Sequence, residues 1–127
     1  MANTNRTKGH NAERHYRTEF RNLGYSYCET SRYASRHHDD AKIDLINVPF
    51  NVQIKAGFQK GMNPSKVLRE MSEAIELAFP PDSTEHEKVN ILIHRKQCKQ
   101  GKARTEYDDL VTLTWDDLKK LIKRLEG

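Results

Sequence analysis

The chain has little from which to build a cross-linked or membrane-embedded architecture. Its two cysteines, Cys28 and Cys98, lie far apart and form no Cys-x-x-Cys pair. That argues against a disulfide framework and for free thiols in a reducing compartment. No apolar run approaches the length of a membrane-spanning helix. The opening residues, MANTNRTKGHN, hold no apolar signal-peptide core. A cytoplasmic protein with no membrane partner is therefore expected. There is no internal repeat, no low-complexity tract and no recognition-helix, finger or zipper signature. Apolar residues make up only 35% against 31% charged, with a mean hydropathy of −0.91. That composition implies a modest core under a wet surface, which burial in a dimer would help.

At 127 residues the chain is long enough for one domain with one core. Residues 1–9 read as a flexible basic arm, and residues 10–127 as the domain. The formal charge of +4 and pI of about 9.1 suit a polyanionic partner.

The most informative stretch is residues 41–57, AKIDLINVPFNVQIKAG. It predicts two short strands joined at Asn47-Val48-Pro49. Ile43 and Leu45 flank Asp44, and Val52 and Ile54 alternate with Gln53 and Lys55. Residues two apart share a face of a strand. Ile43, Leu45, Val52 and Ile54 are thus expected to enter one core, while Asp44, Gln53 and Lys55 converge on the opposite face. Alternation alone is equally the mark of a half-buried hairpin with a solvated outer face.

The flanking segments predict helices and further strands. A helix is expected over residues 10–23, with Ala12, Tyr16, Phe20 and Leu23 as its apolar stripe and Gly24 as its C-terminal cap. Glu13 stands beside that stripe, where a first-turn carboxylate also suits the helix dipole. Residues 25–33 read as a strand and residues 31–40 as a polar loop. His37, His38, Asp39 and Asp40 lie in that loop, but four adjacent residues do not easily wrap one ion. After a basic loop at 58–62, Asn63 caps a helix with Pro64 at its first position and Val67, Leu68, Met71, Ala74, Ile75 and Ala78 as its core stripe. Pro80-Pro81 stops it. Residues 89–94, VNILIH, predict a strand covered on both faces. Residues 96–109 read as a flexible basic loop and 110–113 as a last short strand. Thr114 and Asp117 suggest a capping box on a final helix whose apolar face is Trp115, Leu118, Leu121, Ile122 and Leu125. Alternating helices and strands imply a three-layer α/β domain.

The order of polar residues carries a family resemblance. Lys8-Gly9 precedes Ala12-Glu13-Arg14 on the first helix, Gly24 closes that helix, Ser35 stands in the following loop, and Ile43-Asp44-Leu45 and Gln53-Ile54-Lys55 lie on the hairpin. This resembles the PD-(D/E)XK nuclease superfamily, whose site is an acid followed by an acid-x-Lys triplet on the next strand. Within it the chain is most similar to the archaeal-type Holliday junction resolvases and their viral relatives. The resemblance covers most of residues 8–125. It departs from the pattern at Gln53, where the triplet's first acid is an amide, and at Ile43, where proline is usual.

The resemblance implies a restriction-endonuclease-like three-layer fold, with a central mixed β-sheet flanked by helices. It also implies Mg²⁺- or Mn²⁺-dependent hydrolysis of DNA by a homodimer. Asp44 would be the principal metal ligand, joined by Gln53 through its amide oxygen, by the Ile54 carbonyl and by Glu13. Lys55 would orient the attacking water or stabilise developing charge. Ser35 would hold a phosphate or a metal-bound water, with Ser31 as its competitor. Lys8, Arg14, Arg32, Arg36, Lys60, Lys66 and Arg69 would form a phosphate-binding rim. Symmetric cutting of a four-way junction asks for a two-fold dimer. Two other readings share these residues: a DNA-binding protein that has lost catalysis, favoured by Gln53, and a nuclease acting on flaps, nicks or plain duplex. A basic α/β protein with a protein partner and no nucleic-acid role is a third.

Overall fold

The computed structural model describes residues 4–57 and 61–127. The order of elements is α1 (Thr4–Asn22), β1 (Glu29–Thr30), α2 (Ser31–Ala34), α3 (Arg36–Asp40), β2 (Leu45–Ile46), β3 (Phe50–Ala56), α4 (Pro64–Ala78), β4 (Val89–Arg95), β5 (Asp109–Thr112) and α5 (Trp115–Glu126). The strands form one sheet in the order β1-β2-β3-β4-β5. β1–β2, β2–β3 and β4–β5 pair antiparallel, and β3–β4 pair parallel, with α4 as the crossover. The chain is thus a mixed α/β domain, as expected. Among the described residues, no helix is long and apolar enough to cross a membrane.

The alternation in β3 separates two faces. Val52 and Ile54 join Ala12 and Tyr16 of α1, Cys28, Leu45, and Val89, Ile91 and Ile93 of β4 in the larger core. Phe20, Leu113 and Leu121 pack against its margin. A smaller cluster brings together Ala41, Ile43, Met71 and Ile75. Ile43 therefore does not share a core with Leu45, contrary to the strict alternation expected of the hairpin. The cause is local: Lys42 has φ 65°, and regular pairing in β2 begins only at Leu45. The seven-residue register from Phe50↔Val89 to Ala56↔Arg95 makes β3 and β4 the rigid centre of the sheet.

Several boundaries differ from the pattern in the sequence. α1 starts at Thr4, so its first turns run through residues expected to form an arm. Leu23 lies beyond the helix and is 74% exposed. Gly24 adopts φ 112° and its N–H reaches Arg21 O at 3.0 Å, the left-handed closure for which glycine is suited. The expected strand over 25–33 shrinks to Glu29–Thr30, and the expected loop over 31–40 forms two short helices. Ser35 caps the second of these by accepting from His38 N. α4 begins as its sequence predicts, with the Asn63 side chain accepting from Lys66 N and Pro64 in the first turn.

Candidate active site

Three segments bring side chains together at one end of the larger core. α1 supplies Glu13, the turn before β2 supplies Asp44, and β3 supplies Gln53 and Lys55. Asp44 is fixed first. Its N–H donates to Val52 O at 2.7 Å, and its Oδ2 accepts from Ile54 N at 2.7 Å. The carboxylate is thereby drawn against the backbone of β3 between Gln53 and Lys55. Burial pushes the Asp44 carboxyl up to about 7. The Ile54 N–H opposes that rise, the negative charges of Glu13 and Asp39 add to it, and the Lys55 ammonium opposes it. These electrostatic influences mark Glu13, Asp39 and Lys55 as close neighbours of Asp44.

Glu13 is buried, and Arg32 donates to its Oε2 at 3.0 Å and Oε1 at 3.4 Å. That bond raises the affinity of Arg32 for its proton, and the charges of Asp39 and Asp44 act in the same direction. Gln53 is buried at 7% exposure, yet its Oε1 has no hydrogen-bond partner among the described residues. A buried polar atom without a partner costs roughly 1–3 kcal/mol. Here it stands on the face of β3 that also carries Lys55, one residue before the Ile54 N–H that binds Asp44.

Glu13, Asp44 and Lys55 are thus brought close, with the Ile54 backbone against Asp44 and Gln53 next to Ile54 on β3. Ser35 is not. Its hydroxyl bonds His38 Nδ1 at 2.7 Å, and His38 Nε2 bonds Glu85 Oε1 at 3.2 Å, tying α3 to the turn before β4. Ser31 takes the nearer position: it is fully buried, its N–H donates to Asp44 O at 2.9 Å, and its Oγ lies 3.5 Å from Asp39 Oδ1. The sequence reading missed Asp39, which it gave to a solvated loop. The Ser35-x-x-His38 spacing was the available signal, because a capped turn there swings Asp39 inward.

The expected rim residues are scattered. Arg14 and Arg32 line one cavity of about 420 Å³ beside Glu13. Arg69 lines another of about 740 Å³ between α4 and α5. Arg36 pairs with Asp40 at 3.8 Å and Lys66 with Glu70 at 3.9 Å, each within its own helix. Lys8 reaches Gln97 Oε1 at 3.0 Å. Lys60 lies outside the described residues. Among the described residues, Lys96, Lys99 and Lys102 make no ion pair on the loop between β4 and β5, which the sequence marked only as basic and flexible.

Among the described residues, no three His, Cys, Asp or Glu side chains form a group able to hold a metal ion. The donor set at Asp44 is of another kind: two carboxylates and one amide oxygen. A hard, oxygen-seeking cation that keeps several waters suits such a set, and the orphaned Gln53 Oε1 supplies a reason for one. No protein-family model, curated protein or solved structure matches the chain.

Proposed function

We propose that this protein is a Mg²⁺-dependent DNA endonuclease acting on branched DNA, with a four-way junction as its substrate. The observation that carries the reading is Gln53 Oε1, buried with no hydrogen-bond partner among the described residues, on the face of β3 that also carries Lys55. An enclosed acceptor beside a carboxylate is unfavourable unless a cation completes it. The five-stranded mixed sheet between helices is compatible with the restriction-endonuclease-like fold that the sequence resembles.

Asp44, Gln53, the Ile54 carbonyl and Glu13 would hold the ion, Mg²⁺ or Mn²⁺. When bound, it would supply the positive charge that phosphodiester hydrolysis needs at phosphorus. The chain's own residues do the rest. Lys55 directs its ammonium at the attacking water or at charge developing on the phosphate. Arg32 holds Glu13 in place and keeps a guanidinium where a phosphate can meet it. Ser31 fixes the backbone beside Asp44, so the carboxylate presents one orientation.

A junction has paired strands related by two-fold symmetry, and a symmetric dimer answers it. α5 supports that reading. Trp115, Leu118, Ile122 and Leu125 remain exposed on one stripe of that helix, and a second copy of the chain is the occupant proposed for it.

The test is a cleavage assay with labelled four-way junction, matched duplex and single strand. Paired cuts in the junction, dependent on Mg²⁺ and lost in Asp44→Asn and Lys55→Ala, are expected. Cutting retained in both variants would remove the site assignment. Cutting of every substrate would demote the junction, and tight binding without cutting would favour the non-catalytic DNA-binding protein that a neutral Gln53 also fits.

A further inference from the structure

The residues beyond Lys55 carry a second feature. β3 ends at Ala56, and Gly57 follows with φ 88°, its N–H held by Arg95 O at 3.0 Å. Ala56 and Gly57 form the floor of a cavity of about 460 Å³, walled on one side by Lys8 and His15 of α1 and on the other by Lys96. Among the described residues, no aspartate or glutamate lines it. A second cavity of about 440 Å³ shares Gly57 and Lys96 with the first and adds Lys99 and Lys102. The two, through the residues they share, make one groove beside the end of β3.

The charges in this groove are of two kinds. Arg95 and Arg104 are both paired with Asp109, at 3.1 and 3.4 Å, and serve as its frame. Lys8, Lys96, Lys99 and Lys102 make no ion pair among the described residues. Asp108, the acid that lines the outer part, turns its carboxylate to Thr105, accepting from its N–H at 2.7 Å and its hydroxyl at 3.2 Å. The Lys8–Gln97 bond ties the start of α1 to the far wall and keeps the groove defined.

The chemistry of the lining selects the partner. Four ammonium groups that make no ion pair among the described residues suit a chain of phosphates. Among the described residues, neither cavity is lined by Phe, Tyr or Trp. Single-stranded nucleic acid is held chiefly by stacking on aromatic rings, and the described lining offers none. Gly57 stands roughly 7 Å along the strand from Lys55, so the groove opens at the end of β3 that carries Lys55.

We infer that the groove lined by Lys8, Lys96, Lys99 and Lys102 binds the phosphate backbone of a DNA duplex arm leading away from the cleavage site. It rests on the nuclease reading for the partner's identity, but its own measurement is binding rather than cutting. The experiment follows the affinity of the full chain for a labelled duplex, a labelled four-way junction and a labelled single strand over a salt series. It compares the unchanged chain with a Lys96→Ala/Lys99→Ala/Lys102→Ala variant, and with the corresponding triple arginine variant as a control for folding.

Each lost phosphate contact lowers the slope of log affinity against log salt by about 0.9. The alanine variant should therefore lose about 2.7 from its slope, equally for unrelated duplex sequences, and the arginine variant should keep the original slope. An unchanged slope in the folded alanine variant, or no DNA binding by the unchanged chain, would overturn the inference. A slope loss confined to single strands would overturn the duplex assignment. The two readings fail separately: a slope loss without any cleavage keeps the groove and removes the nuclease, while cleavage with an unchanged slope keeps the nuclease and removes the groove.

Discussion

The Ile54 N–H donates to Asp44 Oδ2 across 2.7 Å, joining a side chain that precedes β2 to the backbone of β3. That bond holds the carboxylate in a half-buried position among other acids, and the position, not the bond itself, accounts for the unusual proton affinity there. Burial, opposed by the Ile54 bond and reinforced by Glu13 and Asp39, brings Asp44 up to about 7 from an ordinary 3.8. Between those values the folded chain keeps a proton that the unfolded chain has released. The contribution of Asp44 to stability is therefore complete below about pH 4 and is lost as pH rises through 7.

Asp44→Asn removes that loss while keeping an oxygen for the Ile54 N–H. The metal-free variant should melt above the unchanged protein at pH 8, by on the order of 2 kcal/mol, with the difference vanishing near pH 4. Added Mg²⁺ should stabilise the unchanged protein at pH 8 and leave the variant where it was. Parallel melting curves for the two proteins across pH 4 to 8 would show that Asp44 titrates normally.

Gln53 tests the cation from the other side. Its Oε1 has no partner among the described residues, so replacing the amide with a carboxylate breaks no bond made by that oxygen. In metal-free protein, Gln53→Glu adds a negative charge beside Asp44 and should destabilise the fold at pH 8. In Mg²⁺ the same charge becomes a ligand. The concentration of Mg²⁺ that gives half of the thermal stabilisation should fall about tenfold, equivalent to roughly 1.4 kcal/mol. An unaltered Mg²⁺ midpoint would mean that Gln53 is not a ligand.

Much of the fold was legible because local chemistry and burial agree. Asn63 and Pro64 start α4 where the sequence places them, and Val89–Arg95 is the covered strand that its apolar run implies. Where tertiary contacts override local pattern, the sequence misled. The first turns of α1 are polar and carry no helical period. Residues 31–40 fold into short helices because His38 reaches Glu85, a contact made 47 residues away. Ile43 leaves its neighbour's core because Lys42 takes a left-handed conformation that no alternation rule anticipates. In the site, the order of Glu13, Asp44, Gln53 and Lys55 was readable, since each lies on or beside a regular element. Ser31 was readable only as a competitor of Ser35 and Asp39 was not readable at all, since their positions depend on how residues 31–40 fold. The expected capping box at α5 is half present. Thr114 accepts from Asp117 N at 3.1 Å, but the Asp117 carboxylate accepts instead from Asn90 N at 3.1 Å.

α5 also bears on the oligomeric state. Its apolar residues were expected to form one core-facing side, but they divide. Leu121 packs against the core, whereas Trp115, Leu118, Ile122 and Leu125 face outward, with Trp115 66% and Leu125 87% exposed. Their 3-4-3 spacing is that of a helix-pairing seam. The helix also carries acids in its first turn and Lys123 and Arg124 in its last, so two copies packed antiparallel about a two-fold axis bring opposite charges together. A dimer is therefore expected in sedimentation or light scattering. Leu118→Lys and Ile122→Lys should each weaken it by about 2–4 kcal/mol, roughly 30- to 1,000-fold in dissociation constant. Asp116→Lys should weaken it less, and adding Lys123→Asp should restore it, because each copy then offers the reversed partner. A protein that stays monomeric as its concentration rises would remove the dimer, and with it the two-fold argument for a junction substrate. A dimer indifferent to all four substitutions would move the interface elsewhere.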